Sequence, residues 1–582
     1  MRMEGGWQDN RRTGPHKTYR YVENIFEELD TAYEWFLDRD KSVLYVYPPE
    51  GVDLSSAVIS VTPIERESIL RFEGSREQSV KNLCIKGITF SATARTFMKT
   101  KEPLLRSDWA IYRNGAVYFK GSEDCQVHRC HFTQLGGNAI FIDGYNQRID
   151  VRSCLIENIG ASAVCAVGDT KAVYNGLYKP YGPGVSAKDM IWKRGAKTED
   201  YPRSIQISDN LIFDIGRIEK QSAGVHLSVA YGVSVQHNSI YNVPRAGINI
   251  SEGAFGGHDI AYNDVFDTVM ETNDHGAFNS WGRDRYWWSR GIDLSKRHET
   301  VLLDCMKPTT IRNNRWKCEH GWDIDLDDGS SHYIITNNVC LSGGIKLREG
   351  FHRIARNNIC VGKRGLDFHA WYRNSYDVVS QNIVFAKHHV RKNAMKHWGA
   401  LIDYNFFAPT AAKDPRFVHI DKHSVTGEPL FLDPKNLDFR IQPDSLAYAV
   451  GFQNFDMNGF GVVSSHLRAM AKRPEFDGFP EPEEKEVEPV AFEGMLLRDI
   501  ENLSDLSATG MGEKKGAWLL EKTSKLDPRW SKLEDFDVIV SLNAQPVNKV
   551  KDLIAIAGKL QRGKPIEAEI FRKQKQLKIR LD

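Results

Sequence analysis

The sequence predicts an all-β protein: a right-handed parallel β-helix, or solenoid, followed by a small α+β domain. A motif of a polar residue, Asn and a short apolar strand recurs along the chain, mostly at intervals of 20 to 28 residues. Between these motifs apolar and polar side chains alternate, and Gly and Asn are frequent. Repeats of this length built from short strands indicate a solenoid, and the alternation does not fit the helical repeat families.

The chain divides into four segments. Residues 1–79 contain aromatic and β-branched runs broken by Asp-Arg-Asp and Pro-Pro turns, which predict an N-terminal β segment or cap. Residues 80–465 carry the repeat and are expected to form the β-helix, and residues 466–489 are a Pro- and Glu-rich linker. Residues 490–582 predict two strands, a turn, an amphipathic helix and two closing strands.

The repeated asparagine is expected to be structural. One Asn at the same place in each coil would form a stacked ladder of amides at a turn. The eight asparagines are Asn210, Asn238, Asn263, Asn314, Asn338, Asn358, Asn382 and Asn405. The interval of 51 residues between Asn263 and Asn314 corresponds to two coils, or to one coil with a long insertion.

Composition limits the function classes. With 77 basic and 76 acidic residues, the formal net charge of +1 argues against a protein that binds nucleic acids or membrane surfaces. No apolar run is long enough to span a membrane. The first residues lack the apolar core of a secretory signal, so the protein is expected to be cytosolic or to start downstream of its natural N-terminus.

Two pairs of cysteines lie at similar places in neighbouring coils. Cys130 with Cys154, and Cys340 with Cys360, are expected to be buried thiols stacked between coils rather than disulfides.

A second strand follows each Asn by roughly ten residues, and its outward positions predict a polar groove along one sheet. These positions are His226 and Ser228, Asn249 and Ser251, Asp323 and Asp325, Lys346 and Arg348, and Asp367 and His369. Because coils stack about 4.8 Å apart, Asp323 is expected to neighbour Lys346, and Asp325 to neighbour Arg348.

The acidic stretch GWDIDLDDGSSHY is the centre of this predicted groove. Trp322, Ile324 and Leu326 alternate with Asp323, Asp325 and Asp327, and Asp328 follows at the strand end. Alternation predicts that the apolar set faces one way and the three carboxylates the other. Four acidic groups this close repel one another unless a metal, a cation or a shared proton relieves them.

A second acidic group, Asp274, precedes the groove strand of the neighbouring coil. Two carboxylates facing each other across adjacent coils suit glycoside hydrolysis, where one group donates a proton and the other acts as nucleophile or base. The predicted catalytic residues are Asp274, Asp327 and Asp328. The predicted substrate-binding residues are His226, Glu252, Arg283, Asp284, Asp325, Lys346, Arg348, His369 and Trp371. No cofactor or metal ligand is predicted for this hydrolase, whose expected partner is an oligosaccharide or polysaccharide.

Three blocks, RYVENIFEELDTAYEWFLDRD, TNDHGAFNSWGRD and DLDDGSSHY, occur in this order over roughly residues 18–450. They resemble the right-handed β-helix glycosidases of glycoside hydrolase family 141, whose activities include fucosidase and xylanase. The resemblance implies an acid and base pair drawn from Asp274 and the Asp327/Asp328 doublet. It also implies a complex plant or algal polysaccharide or a host glycan as substrate, and a periplasmic or extracellular location.

The last segment, residues 490–582, resembles a PDZ domain in its strand, Asn turn and helix. A clear GLGF-type loop for binding a peptide carboxylate is not present in the sequence. The resemblance implies either a peptide or protein partner, or docking onto the rest of the chain.

Two other functions fit the same scaffold. A polysaccharide lyase would use the aspartates to bind Ca²⁺ against a uronate carboxylate, with Lys346 or Arg348 removing the C5 proton. A non-catalytic surface solenoid would bind glycans or act in adhesion, with the aspartates only pairing with Lys346 and Arg348. An unsaturated product that absorbs in the ultraviolet would distinguish the lyase, and binding without turnover would distinguish the adhesin.

Overall fold

The computed structural model describes most of the chain. The described residues are 7–8, 11–12, 23–59, 61–62, 65–97, 99, 102–105, 109–174, 191–272, 274–282, 296–369, 375–390, 399–411, 419–480, 489–561, 563–572 and 575–581.

Long parallel sheets, named A, B and C here, form the body of the molecule, and the chain visits them in turn once per coil. Sheet A consists of Leu70–Glu73, Val80–Lys81, Val117–Glu123, Ile140–Gln147, Val164–Val167, Pro202–Arg203, Ala223–Ser228, Ala230–Tyr231, Ala246–Ile250, Phe255–Gly256, Gly276–Trp281, Cys305–Lys307, Trp322–Asp327, Ile345–Leu347, Leu366–Phe368 and His389–Val390.

Sheet B consists of Cys84–Lys86, Gln126–His128, Asp150–Arg152, Gln206–Ser208, Ser234–Gln236, Asp259–Ala261, Thr309–Arg312, Tyr333–Thr336, Arg353–Arg356, Val378–Ser380 and Leu401–Ile402. Sheet C consists of Thr89–Phe90, His131–Phe132, Leu155–Glu157, Leu211–Phe213, Ser239–Tyr241, Asp264–Val265, Arg315–Trp316, Val339–Cys340, Ile359–Cys360, Ile383–Val384, Phe406–Phe407 and Val425–Thr426. Inward apolar side chains of all three sheets share one core, which confirms the prediction of a parallel β-helix.

The remaining elements lie outside these sheets. Antiparallel pairs are Trp7–Gln8 with Arg11–Arg12, Trp35–Asp38 with Val43–Val46, Glu102–Pro103 with Ala110–Ile111, and Phe431–Asp433 with Asp438–Ile441. The α-helices are Arg297–Asp304, Ser465–Arg468, Leu503–Thr509 and Val550–Ala557. Short 3-10 turns are Phe26–Glu28, Thr170–Ala172, Pro434–Asn436, Leu446–Val450 and Pro528–Trp530. In the described residues, no helix has both the length and the apolar character needed to cross a membrane.

The C-terminal segment has its own antiparallel sheet and its own apolar core. Its strands are Val490–Phe492, Met495–Asp499, Ala517–Lys522, Val538–Leu542, Gln545–Pro546, Ile566–Arg572 and Lys575–Leu581. Part of the segment predicted as a linker packs on the solenoid, because the Phe479 ring stacks on Phe385 with ring centroids 4.4 Å apart.

The predicted asparagine ladder is present. Each Asn side-chain amide donates to the side-chain oxygen of the next Asn at 2.9–3.0 Å, from Asn210 through to Asn405, and the eight side chains are fully buried. Asn263 donates directly to Asn314 at 2.9 Å, so the interval of 51 residues is one coil with a long insertion. The predicted thiols are also confirmed: Cys130, Cys154, Cys340 and Cys360 are buried and free.

Replacing Asn338 by Ala is expected to lower the free energy of unfolding by about 3 kcal/mol, because buried amide partners lose their hydrogen bonds. The Asn338 amide donates to Ile311 O, Thr336 O and Asn358 Oδ1, and its oxygen accepts from Asn314. Urea unfolding measures the loss. The control Thr336→Ala, on the partly exposed side of the same coil, is expected to change stability by less than about 0.5 kcal/mol. Equal effects of the two variants would contradict a structural ladder.

Candidate active site

Six neighbouring strands of sheet A carry the predicted groove. They are β1 (Ala223–Ser228), β2 (Ala246–Ile250), β3 (Gly276–Trp281), β4 (Trp322–Asp327), β5 (Ile345–Leu347) and β6 (Leu366–Phe368). One register row crosses all six strands and is polar throughout. It consists of His226, Asn249, Asn279, Asp325, Lys346 and Asp367.

The register between β4 and β5 differs from the prediction. Asp325, not Asp323, is the partner of Lys346, and Arg348 reaches Asp327 instead of Asp325. Ile324 and Leu326 pair with Ile345 and Leu347, so the residue between them, Asp325, lies beside Lys346. A bulge precedes these pairs at the start of β4, where the N–H groups of Asp323 and Ile324 both donate to Gly344 O at 3.1 and 3.0 Å.

The bulge also breaks the predicted alternation at its first two positions. The Trp322 indole lies on the outward face, where its N–H donates to Asp367 Oδ2 at 3.1 Å. Asp323 instead accepts backbone N–H groups of Cys318, Ser342 and Gly344 at 2.7–3.0 Å. Burial raises the pKa of Asp323 to about 7, although these backbone donors oppose the shift. Asp323 is therefore a structural residue beside the core.

Asp325 and Asp327 share the ammonium group of Lys346. Lys346 Nζ lies 3.0 Å from Asp325 Oδ1 and 3.1 Å from Asp327 Oδ1, and it also lies 4.0 Å from the centre of the Trp322 ring. Lys346 and Asp325 are fully buried. The predicted role of Lys346 in binding the substrate is therefore not supported by its position, because its ammonium group is enclosed by protein carboxylates.

Arg348 joins three further acidic groups. Its guanidinium lies 2.9 Å from Asp327 Oδ1, 3.4 Å from Asp328 Oδ1 and 3.0 Å from Glu349 Oε2. Asp327 thus contacts two cations at once. Because opposite charges within about 4 Å favour the charged form of a carboxyl group, this arrangement favours ionised Asp327.

Among the described residues, the cluster has five carboxyl groups and two cations. The carboxyl groups are those of Asp274, Asp325, Asp327, Asp328 and Glu349, and the cations are Lys346 and Arg348. Burial raises the pKa of Asp325 well above its ordinary value; Lys346 opposes this rise, and the charges of Asp327 and Asp274 add to it. Burial alone would lower the pKa of Lys346, but Asp325, Asp327 and Asp274 outweigh it and raise this pKa.

Asp274 lies two residues before β3, half-buried, and β3 pairs directly with β4. Its charge acts on Asp325, Lys346 and Arg348, so the structure brings Asp274 to the same cluster as Asp327. Asp274 and Asp327 thus act on the same two cations, Lys346 and Arg348.

Glu349 belongs to this cluster and was not among the predicted residues. Burial raises its pKa, Arg348 opposes the rise, and Asp328 and Asp327 add to it. The sequence signal was the segment KLREG, in which an acidic residue directly follows the predicted outward Arg348.

Three predicted binding residues lie away from solvent. His226 is fully buried, with its Nε2 3.2 Å from Ser251 Oγ, and burial lowers its pKa to about 3, so the ring is neutral at pH 7. Glu252 is fully buried and accepts the Val229 N–H at 3.1 Å. His369 is fully buried, with Nε2 2.9 Å from Asp367 Oδ1. The predicted residues Arg283, Asp284 and Trp371 lie outside the described residues.

Aromatic side chains cover part of the predicted groove. Trp281, at the end of β3, is the register partner of Asp327 and is 2% exposed. Trp109, from a distant hairpin, packs edge-on against Trp281 with ring centroids 5.9 Å apart and lies over His226 at 5.1 Å. The sequence gives no sign of this contact, because Trp109 lies more than a hundred residues before β1.

Calcium, which the lyase alternative requires, does not fit this cluster. Its carboxylate oxygens contact an ammonium and a guanidinium group, whereas calcium takes oxygen ligands only. Across the described part of the chain, no group of three or more His, Cys, Asp or Glu side chains is arranged to hold a metal ion.

Comparison with known proteins gives a family model and several solved structures. Residues 110–266 match the model described as "Right handed beta helix region". A structure named "Glycoside hydrolase" is 15% identical over 77% of this chain and 61% of its own, with a TM-score of 0.36. "The complex structure of XylC with xylose" is 12% identical over 70% of this chain and 66% of its own, with a TM-score of 0.33.

The surface adhesin PfbA of Streptococcus pneumoniae is 8% identical over 63% of this chain and 74% of its own, with a TM-score of 0.27. The chain thus spans less than two thirds of the first two of these structures. No curated protein sequence matches this chain. The family model agrees with the stacked parallel sheets, and both describe a β-helix.

Proposed function

We propose that the protein is a glycoside hydrolase in which Asp327 acts, in its ionised form, as the nucleophile or as the base that activates water. The environment of Asp327 carries this proposal. Its side chain is 14% exposed, so a substrate can reach it, and it lies 3.1 Å from Lys346 and 2.9 Å from Arg348. Two cations on one accessible carboxylate favour the charged form that either role needs.

The proton donor is proposed to be one of two acidic groups beside Asp327. Asp274 is the partner that the family resemblance implies, and its charge acts on Lys346 and Arg348 beside Asp327. Glu349 has the surroundings of an acid, because burial raises its pKa against the effect of Arg348, and its side chain is 13% exposed. Glycosidases separate the roles of two carboxyl groups by such differences in environment.

The proposed reaction consumes one water molecule. The bond between the anomeric carbon and the glycosidic oxygen breaks, and that oxygen takes the proton of the acid. The anomeric carbon gains the hydroxyl of water, either directly or after a glycosyl intermediate on Asp327, and the remaining proton of water returns to the carboxylates. The acid is then ready for the next turnover.

The surroundings of Lys346 and Arg348 do not favour the lyase alternative. A base that removes a C5 proton must first lose its own proton. Lys346 is fully buried, and its neighbouring carboxylates raise its pKa; Asp327, Glu349, Asp328 and Asp274 likewise raise the pKa of Arg348 despite its burial. Both groups therefore stay protonated at neutral pH.

Further parts of the proposal rest on resemblance. The substrate is proposed to be a complex plant or algal polysaccharide or a host glycan, met in the periplasm or outside the cell. The C-terminal domain is proposed to be PDZ-like and to bind a peptide or protein partner or to dock within the chain.

The proposal is tested on a panel of oligosaccharides and aryl glycosides by measuring sugar release. Replacing the true proton donor, by Asp274→Asn or Glu349→Gln, is expected to lower turnover of natural linkages by about 10²- to 10⁴-fold. Aryl glycosides with a good leaving group need little protonation and should lose far less. Asp259→Asn is the matched control, since Asp259 pairs with Arg312 on sheet B and should keep full activity.

Two results would contradict the proposal. Release of unsaturated products that absorb in the ultraviolet would show a lyase. Glycan binding without turnover across the whole panel would show a binding solenoid, in which the charged cluster serves only as structure.

A further inference from the structure

The outward face of β1, β2 and β3 is closed to solvent. The polar side chains of this part are at most 1% exposed, although the sequence places them along an open groove. They are His226, Asn249, Ser251, Glu252 and Asn279. A saccharide chain lying across these strands would not reach these five side chains.

A hairpin from far upstream provides the cover. Its strands Glu102–Pro103 and Ala110–Ile111 pair with each other, and Ala110 N donates to Gln221 Oε1 at 3.2 Å. Trp109 lies between His226 and Trp281, and the guanidinium of Arg245 stands 5.2 Å from the centre of its indole. Leu104 and Ile111 pack in the same apolar cluster, so the cover is part of the fold.

The face is also closed on the other side of the cluster. Lys346, Asp367 and His369 are at most 1% exposed. The Trp322 ring is fully buried, with Lys346 Nζ 4.0 Å and the Arg364 guanidinium 5.1 Å from its centre. In the described part of the chain, solvent therefore reaches the outward face only at a short stretch between these two buried parts.

The accessible groups of the cluster belong to three adjacent coils: Asp274 precedes β3, Asp327 ends β4, and Arg348 and Glu349 follow β5. Asp274 is half-buried, and the side chains of Asp327, Arg348 and Glu349 are 14, 11 and 13% exposed. Three adjacent strands span only about 10 Å along the solenoid axis. Along the solenoid axis, this stretch leaves room for the end of a saccharide only.

We infer that the site is a pocket bounded by Trp281 and Trp109, and that the protein removes sugars from chain ends rather than cleaving within chains. This inference rests on the proposed hydrolase function. Trp281 pairs in register with Asp327 and so stands where the next sugar of a longer chain would lie. The Trp109 ring packs edge-on against Trp281 and supports its position. The two indoles are specificity-determining residues and take no part in the chemistry.

The test compares oligosaccharides of defined length, labelled at the reducing end, with the same oligosaccharides blocked chemically at the non-reducing end. Wild-type protein is expected to release sugars one unit at a time from the free substrate. We expect the blocked substrate to be cleaved at least about 100-fold more slowly. Trp109→Ala and Trp281→Ala are expected to raise cleavage within the blocked chain, while Trp35→Ala, an exposed tryptophan of the N-terminal hairpin, should match wild type.

The wild-type result decides the inference even if a tryptophan variant fails to fold. Internal fragments from wild-type protein, or equal rates on free and blocked substrates, would overturn the pocket and leave the hydrolase function intact. Absence of hydrolysis on every substrate would remove the proposed function and, with it, this inference.

Discussion

Replacing Asp327 by Asn is expected to lower kcat about 10³-fold or more on the best substrate, with a small change in KM. The amide keeps the shape of the side chain but cannot act as nucleophile or base. Lys346 and Arg348 would remain beside it at about the same distances, so the pocket should stay formed. Steady-state kinetics measures the loss, and circular dichroism with thermal unfolding checks that the variant is folded.

Added azide or formate separates the two roles that Asp327 could have. Rescue that yields a glycosyl azide would identify a nucleophile, whereas recovery without that product would identify a base. Asp259→Asn, which removes a carboxylate paired with Arg312 at 2.8 Å on sheet B, should keep wild-type kinetics. An Asp327→Asn variant with normal kcat would place the chemistry elsewhere.

The coils could be predicted from the sequence because their signals are local and repeated. Each Asn of the ladder bonds the same position of the next coil, so the spacing in sequence reports the geometry directly. The inward residues follow from alternation within single strands, which is why Val225, Ile248 and Ile345 all lie in the shared core as expected.

The details of the site depend on contacts that alternation does not encode. A bulge at Asp323 places the Trp322 indole on the outward face and turns Asp323 towards backbone N–H groups, and a bulge leaves no mark in a hydrophobic pattern. The cover by Trp109 depends on a hairpin packed against strands more than a hundred residues later. The burial of this face is therefore visible only in the structure. This burial is what turns the predicted groove into a pocket.

Replacing Lys346 by Met is expected to lower the free energy of unfolding at pH 7 by about 3–5 kcal/mol, because breaking a buried ion pair leaves an uncompensated charge. Asp325 is fully buried and contacts Lys346 Nζ through both oxygens, at 3.0 and 3.2 Å. The methionine fills the space beside Trp322 without supplying a charge. Urea unfolding between pH 5 and pH 8 measures the effect.

The pH dependence has a definite sign. Burial already raises the pKa of Asp325 in the folded protein, and loss of Lys346 raises it further. A carboxyl group with a raised pKa in the folded state destabilises the fold as pH rises from its unfolded pKa towards its folded pKa. The unfolded pKa is the same in both proteins. The deficit of Lys346→Met relative to wild type should therefore grow as pH rises from the folded pKa of Asp325 in wild type towards its higher folded pKa in the variant, and should shrink as pH falls.

A second substitution isolates the buried charge as the cause. Adding Asp325→Asn to Lys346→Met removes the uncompensated carboxylate and is expected to recover about 1–3 kcal/mol at pH 7 and to flatten the pH dependence. Lys120→Met, which removes an exposed lysine from the same sheet, is expected to change stability by less than about 0.5 kcal/mol. If Lys346→Met lost the same stability at all pH values, and Asp325→Asn restored none of it, the loss would come from packing around Trp322. The ion pair of Asp325 and Lys346 would then not be what stabilises the cluster around Asp327.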